Sequence, residues 1–165
     1  MEQLDKEMYF NTLDELAEKY PDYCEAEDVD CLNLVMRKEF AEEILTGKKT
    51  VEYRTFSNHY TSRLFDKKVL QFKQNHMEDP DVRDCVDSLR IVRKIHFYSY
   101  SNTWYLDVEC VDNGIVNATK EDLEFLKREY GSDELKDVVN DYVGSEEIPT
   151  FFYFALGKVI KTDLK

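Results

Sequence analysis

Leu13, Leu16, Ala17 and Tyr20 recur at helical spacing, so residues 3–20 are expected to form an amphipathic helix that Pro21 ends. The apolar run from Cys31 to Met36 predicts a buried strand. Lys38 to Thr46 reads as a short helix with Phe40, Ala41, Ile44 and Leu45 on one face. Gly47 follows where a helix end favours positive φ. Thr50 to Tyr53 is β-prone, Val69 to Phe72 predicts a further strand, and acidic Met77 to Asp87, with Pro80, predicts an exposed loop. Arg90 to Tyr100 and Thr103 to Asp112 form a predicted hairpin, with Ser101 and Asn102 at its turn. Thr119 and Asp122 open a helix that Gly131 breaks; Ser132 is expected to cap a second, ended by Gly144. After Pro149, Thr150 to Ile160 is an aromatic closing strand. Irregular alternation of helices and strands, partly joined by hairpins, favours an α+β fold with a mixed, curved sheet over a doubly wound one.

A chain of 165 residues suits a single folding unit that needs neither disulfides nor a structural metal. No apolar run approaches the ~20 residues of a membrane span, and the start, MEQLDKEMYF, lacks a basic stretch followed by an apolar one, so the expected location is the cytoplasm. Cys24, Cys31, Cys85 and Cys110 form no CxxC pair, and His59, His76 and His96 fit no zinc spacing. Neither a metal nor another cofactor is expected, and the thiols are expected to be reduced.

The net charge of −13 argues against a protein that coats nucleic acid through phosphate neutralisation. The charge is unevenly spread. Residues 1–30 hold two cations against eleven acids and read as an acidic helical extension, a candidate docking arm for a protein partner. Lys48 to Lys73 holds seven cations against Glu52 and Asp66, which suits a small anionic or polar ligand better than a long polyanion.

The densest group of chemistry-bearing residues is Gly47-Lys48-Lys49-Thr50-Val51-Glu52-Tyr53-Arg54. If Val51 and Tyr53 face the core, strand alternation puts Thr50, Glu52 and Arg54 on the opposite face, with Lys48 and Lys49 at the turn leading in. Arg54 offers a planar donor fork, Glu52 an acceptor, and Lys49 a candidate general base. The same spacing also fits a plain surface ion pair between Glu52 and Arg54.

The stretch from Leu32 to Arg54 resembles the opening of ASCH domains, members of the PUA-like superfamily marked by a strand, a short helix and G-x-K-x-x-E-x-R. Gly47, Lys49, Glu52 and Arg54 stand at that spacing, and the resemblance spans about residues 31–160. It implies a small, partly open mixed β-barrel with surrounding helices, covering 31–165, preceded by the 1–30 extension. It also implies a cleft, lined by the motif residues Gly47, Lys49, Glu52 and Arg54, that binds short single-stranded RNA or a modified nucleoside; Lys48 and Thr50 beside them, and Arg63 further on as a cation able to touch phosphate, complete the candidate ligand-binding residues. Some members resemble amidohydrolases that deacylate acetylated cytidine through a lysine, a threonine and a glutamate. Lys49 matches the lysine, Glu52 stands where the threonine belongs, and Glu129 is the nearest match to the glutamate. A carboxylate cannot replace a hydroxyl nucleophile directly, although it can activate water. The alternatives are therefore a binding module, an amidohydrolase using Lys49, Glu52 and Glu129, and a non-catalytic protein-interaction domain. Near the hairpin turn, Tyr98, Tyr100, Trp104 and Tyr105 could pack across strands or stack on bases.

Overall fold

Apolar residues at alternate positions and aromatic runs at the end of the chain build one five-stranded sheet in a computed structural model that describes residues 3–164, with side chains from Lys6 onward. The ends of the two expected segments, residues 1, 2 and 165, lie outside the described residues. The chain runs α1 (Gln3–Lys19), β1 (Leu32–Val35), α2 (Lys38–Leu45), β2 (Val51–Thr55), α3 (Asn58–Leu64), α4 (Lys67–Asn75), α5 (Pro80–Cys85), β3 (Lys94–Tyr98), β4 (Tyr105–Asn117), α6 (Lys120–Tyr130), α7 (Lys136–Asp141) and β5 (Thr150–Thr162). Among the described residues two compact units result: residues 3–27 with 61–90, and residues 28–60 with 91–164.

The larger unit holds the sheet, in the order β1-β3-β4-β5-β2. β1 runs parallel to β3, and the other pairs are antiparallel, so the sheet is mixed as expected. Register shifts between Asp107 and Asp112 bend the long β4–β5 ladder, because each unpaired residue kinks its strand and increases the local twist. Leu32, Leu34, Ile95, Phe97, Leu106, Val108, Phe152 and Phe154 are buried on alternating strand positions. Along β5, Tyr153 is buried too, because α6 and α7 cover its face. There Val51, Val116, Leu126, Leu135, Val139 and Tyr153 form one cluster, with Tyr53, Leu123 and Tyr130 packed against it. The fold is α+β, a curled sheet with helices packed around it.

The local signals around these strands hold in detail. Gly47 takes φ +81° just past α2, and Thr119 Oγ1 accepts from Asp122 N–H at 3.2 Å at the start of α6. Asn102, at the hairpin turn, has φ +56°. Ser132, however, does not cap α7. That helix begins after Leu135, and the Ser132 hydroxyl lies 2.7 Å from the Tyr53 hydroxyl instead.

In the smaller unit, Val69 to Phe72 lies in the helix α4, not in a strand. A four-residue stretch with three apolar positions does not distinguish the two by periodicity. Burial does: Val69 and Phe72, three apart, are buried, while Leu70 between them is exposed. The expected loop at Met77 to Asp87 contains α5, which Asp79 caps and Pro80 opens. Leu16 of α1 packs with Val69, Phe72, Val82 and Val86, alongside Leu13, Tyr20 and Tyr23. The acidic N-terminal segment thus shares its core with residues that stand some fifty positions later. Tyr20 donates to Asp79 at 2.6 Å, and Lys19 reaches the same carboxylate at 3.2 Å.

Candidate functional site

The turn after α2 delivers Lys49 to the start of β2, and Lys49 N–H donates to Glu43 O at 3.0 Å, which fixes the turn. The Lys49 side chain is buried. Its Nζ donates to Val51 O at 2.9 Å and to both oxygens of Glu134, at 2.9 and 2.7 Å. Glu52 Oε1 lies 3.7 Å away. The rings of Phe40 and Tyr53 stand about 6 Å from the amine.

Glu52 and Arg54 are two apart in β2 and share a face, as alternation requires. Opposite them in β5 are Phe154 and Phe152. The Glu52 carboxylate is buried. Oε1 accepts from Tyr53 N–H at 2.9 Å, and Oε2 accepts from Arg54 at 3.3 Å. The Arg54 guanidinium also donates to Val35 O at 2.8 Å and to the Tyr60 hydroxyl at 3.1 Å. β1 and β2 are the two edges of the strand order, so this side chain brings the sheet's opposite edges within one hydrogen bond. That contact makes the curled sheet a partly open barrel, with Lys49, Glu52 and Arg54 at the seam.

Of the residues anticipated from the sequence, Lys49, Glu52 and Arg54 therefore converge. Thr50 does not join them. It precedes the strand, where alternation does not yet apply, and its hydroxyl donates to Tyr130 O at 2.7 Å. Lys48 points to solvent with Glu43 at 3.6 Å, and Gly47 contributes the left-handed turn. Arg63 is exposed on α3 and belongs to the smaller unit; its carbonyl accepts from Arg90. Glu129 faces solvent beside Arg128 at 3.2 Å, while the carboxylate on Lys49 is that of Glu134. The α6 C-cap decides this: Gly131 at φ +67° reverses the chain, so the residue that returns to β2 lies five positions beyond Glu129. An acid just past a helix-ending glycine is the only signal that could have marked it.

Glu134 is the accessible member, with a side chain 42% exposed against 4% for Lys49 and 9% for Glu52. Burial raises its pKa above the usual glutamate value; hydrogen bonding and attraction from Lys49 oppose this, while Glu52 and Glu43 add to it. The arrangement is a floor of buried charges under one half-exposed carboxylate. Lys49 Nζ has three oxygens within hydrogen-bond distance and donates to each in this geometry. A ligand oxygen can take the place of Glu134 on Lys49 by displacing a single half-exposed side chain.

Nearby, the face under α6 and α7 holds a second carboxylate group. Asp112 Oδ2 accepts from Tyr153 at 3.0 Å and from Tyr130. Among the described residues, no group of three or more His, Cys, Asp or Glu side chains could hold a metal ion, and no helix is long and apolar enough to cross a membrane.

Fold and cluster together define an α+β protein whose curled mixed sheet is seamed by a lysine, an arginine and two glutamates. No protein-family model and no curated protein matches the chain. Among solved structures, the chain is similar to a serine-to-alanine variant of the ASCH protein ZmASCH from Zymomonas mobilis. Identity is 16%, with 82% of this chain and 75% of that chain covered, at a TM-score of 0.41.

Proposed function

We propose that this is an ASCH-type, PUA-like protein that binds a nucleoside, or one residue of a short single-stranded RNA, over the Lys49–Glu52–Arg54–Glu134 cluster. The observation that carries the reading is the convergence of the GxKxxExR side chains on the seam of the sheet. Lys49 supplies a donor to a base carbonyl that takes the place of Glu134, and the half-exposed Glu134 supplies an acceptor to a ring or exocyclic N–H group. Such edge-on hydrogen bonding selects a base without a large cationic footprint, which reconciles the reading with the −13 charge.

A second reading, hydrolysis of an acylated nucleoside such as acetylcytidine, draws support from Glu134. It is a half-exposed carboxylate with a raised pKa, seated on a lysine, and could activate a water beside a substrate carbonyl held by Lys49. It departs from the threonine mechanism: Glu52 occupies that position, and the Thr50 hydroxyl is committed to Tyr130 O.

Calorimetric titration with cytidine, acetylcytidine and short single-stranded RNAs at low salt tests both. We expect saturable binding that weakens at least tenfold in Glu134→Gln and is unchanged in Glu129→Gln. No heat with any ligand would overturn the binding reading. Acetylcytidine left intact by the wild-type protein, as seen by chromatography, would end the hydrolytic one.

A further inference from the structure

A groove of about 600 Å³ lies between the β1–α2 turn and the tip of the β3–β4 hairpin, outside the cluster described above. That volume falls within the roughly 300–1,000 Å³ usual for small-molecule sites. One wall carries Arg37 and Lys38. Both are exposed, and among the described residues neither makes an ion pair. The other wall is the hairpin tip. Tyr100 is 88% exposed, whereas Trp104 is 9% exposed and forms part of the lining. Ser101 Oγ and Thr103 Oγ1 lie 3.0 Å apart at the same tip. Asp163 also lines the groove, with Oδ1 accepting from Tyr105 N–H at 2.9 Å.

These groups divide by chemistry. Arg37 is a planar donor fork and Lys38 a point charge, the pair that phosphate oxygens engage. Tyr100 offers a flat ring to water where an apolar residue would be buried, and such rings stack on bases of any sequence. Asp163 repels a phosphate but accepts from a base's amino group, so it favours a ligand with its phosphate toward α2 and its base toward the hairpin. We propose that this groove is a nucleotide subsite: it takes a nucleoside monophosphate, free or as a residue of single-stranded RNA, with the phosphate on Arg37 and Lys38 and the base against Tyr100. The choice of a nucleotide rests on the function proposed above, but the residues are separate from that cluster.

Trp104 is the single tryptophan of the chain, so its emission reports on the groove alone. The full chain is titrated with cytidine monophosphate, cytidine, inorganic phosphate and a cytidine tetranucleotide. We expect the monophosphate to change Trp104 emission saturably and to bind at least tenfold more tightly than cytidine or phosphate. Affinity should fall at least tenfold in Arg37→Ala/Lys38→Ala and in Tyr100→Ala, and recover in Tyr100→Phe. It should stay within twofold in Glu129→Gln, whose carboxylate faces solvent beside Arg128. A tetranucleotide that binds more tightly than the monophosphate identifies RNA as the source, and equal affinities identify the free nucleotide; both support the site. Phosphate binding as tightly as the monophosphate would reduce it to a simple anion site and overturn the inference. Nucleotide binding lost in Glu134→Gln but kept in Arg37→Ala/Lys38→Ala would move the nucleotide to the Lys49 cluster, overturning the groove and leaving the function standing. No emission change with any nucleotide, while cytidine still binds calorimetrically, would likewise overturn the groove alone.

Discussion

Arg54, in β2, donates through its guanidinium to the backbone carbonyl of Val35, in β1, at 2.8 Å, and so joins the two strands that pairing leaves at opposite edges of the sheet. The same guanidinium holds Glu52 and the Tyr60 hydroxyl. Lysine cannot meet three acceptors in those directions. Arg54→Lys should therefore destabilise the protein by about 1–3 kcal/mol, since a partly buried carboxylate and carbonyl lose their donors. Urea unfolding should show a lower midpoint with an unchanged slope. An unchanged midpoint would mean that the seam does not depend on the fork.

Lys49 and Glu134 should separate stability from binding. Lys49→Met keeps the volume but leaves the buried Glu52 carboxylate with Arg54 as its remaining cation; a loss of about 1–3 kcal/mol is expected. Glu134→Gln removes a charge from a half-exposed pair, for which about 0–1 kcal/mol is expected. Thermal unfolding of the two variants side by side checks the order, and a larger loss for Glu134→Gln would reverse the assignment of floor and rim.

Gly114 packs against the ring of Tyr153. A Cβ there would lie 2.8 Å from Cε1 and 2.9 Å from the hydroxyl oxygen that donates to Asp112. Gly114→Ala must push the ring off Asp112 or bend β4, at about 1–3 kcal/mol. A lower melting temperature with altered near-ultraviolet dichroism is expected, because Tyr153 lies in the cluster beneath α6 and α7.

The Tyr20 hydroxyl, and after it Lys19, pulls the Asp79 pKa down to about 2. The unfolded value is ~3.9, so the interaction contributes stability above that pH and loses it as pH falls from there through about 2. Carbon-detected NMR titration should place the Asp79 midpoint near the lower value, and Tyr20→Phe should move it up toward the unfolded one. A midpoint that ignores Tyr20→Phe would remove this contact as the anchor of α1 on α5.

Burial pushes the Cys110 thiol up to about 12, and its S–H donates to Asp112 O. Cys31 is exposed. Iodoacetamide at pH 8 followed by peptide mass spectrometry should modify Cys31 in the native protein and Cys110 only after denaturant is added. Equal modification under native conditions would show that β4 opens readily at its register shifts.

How much of this was readable beforehand varies with the range of the cause. Gly47, Thr119 and Asn102 behave as expected because each acts within a turn of its own chain. The stretch at Val69 is helix and not the expected strand, because Leu16, more than fifty positions away, packs on Val69 and Phe72 at helical spacing. Thr50 and Glu129 were misplaced for related reasons. Strand alternation begins only at Val51, one residue after Thr50, and the reversal at Gly131 carries the chain past Glu129 and returns it with Glu134.

Local stereochemistry in the sequence determined the helices and strands of the sheet unit, the mixed α+β character, and the Lys49–Glu52–Arg54 triplet on a single strand entry, because those depend on φ preference and on side-chain period. The tertiary structure alone decided that the edges of the sheet meet through Arg54, that Glu134 completes the cluster, and that Arg37 and Lys38 face a tyrosine-tipped hairpin. Those relations join residues 19 to 85 positions apart, and distance along the chain carries no information about them until the sheet has curled.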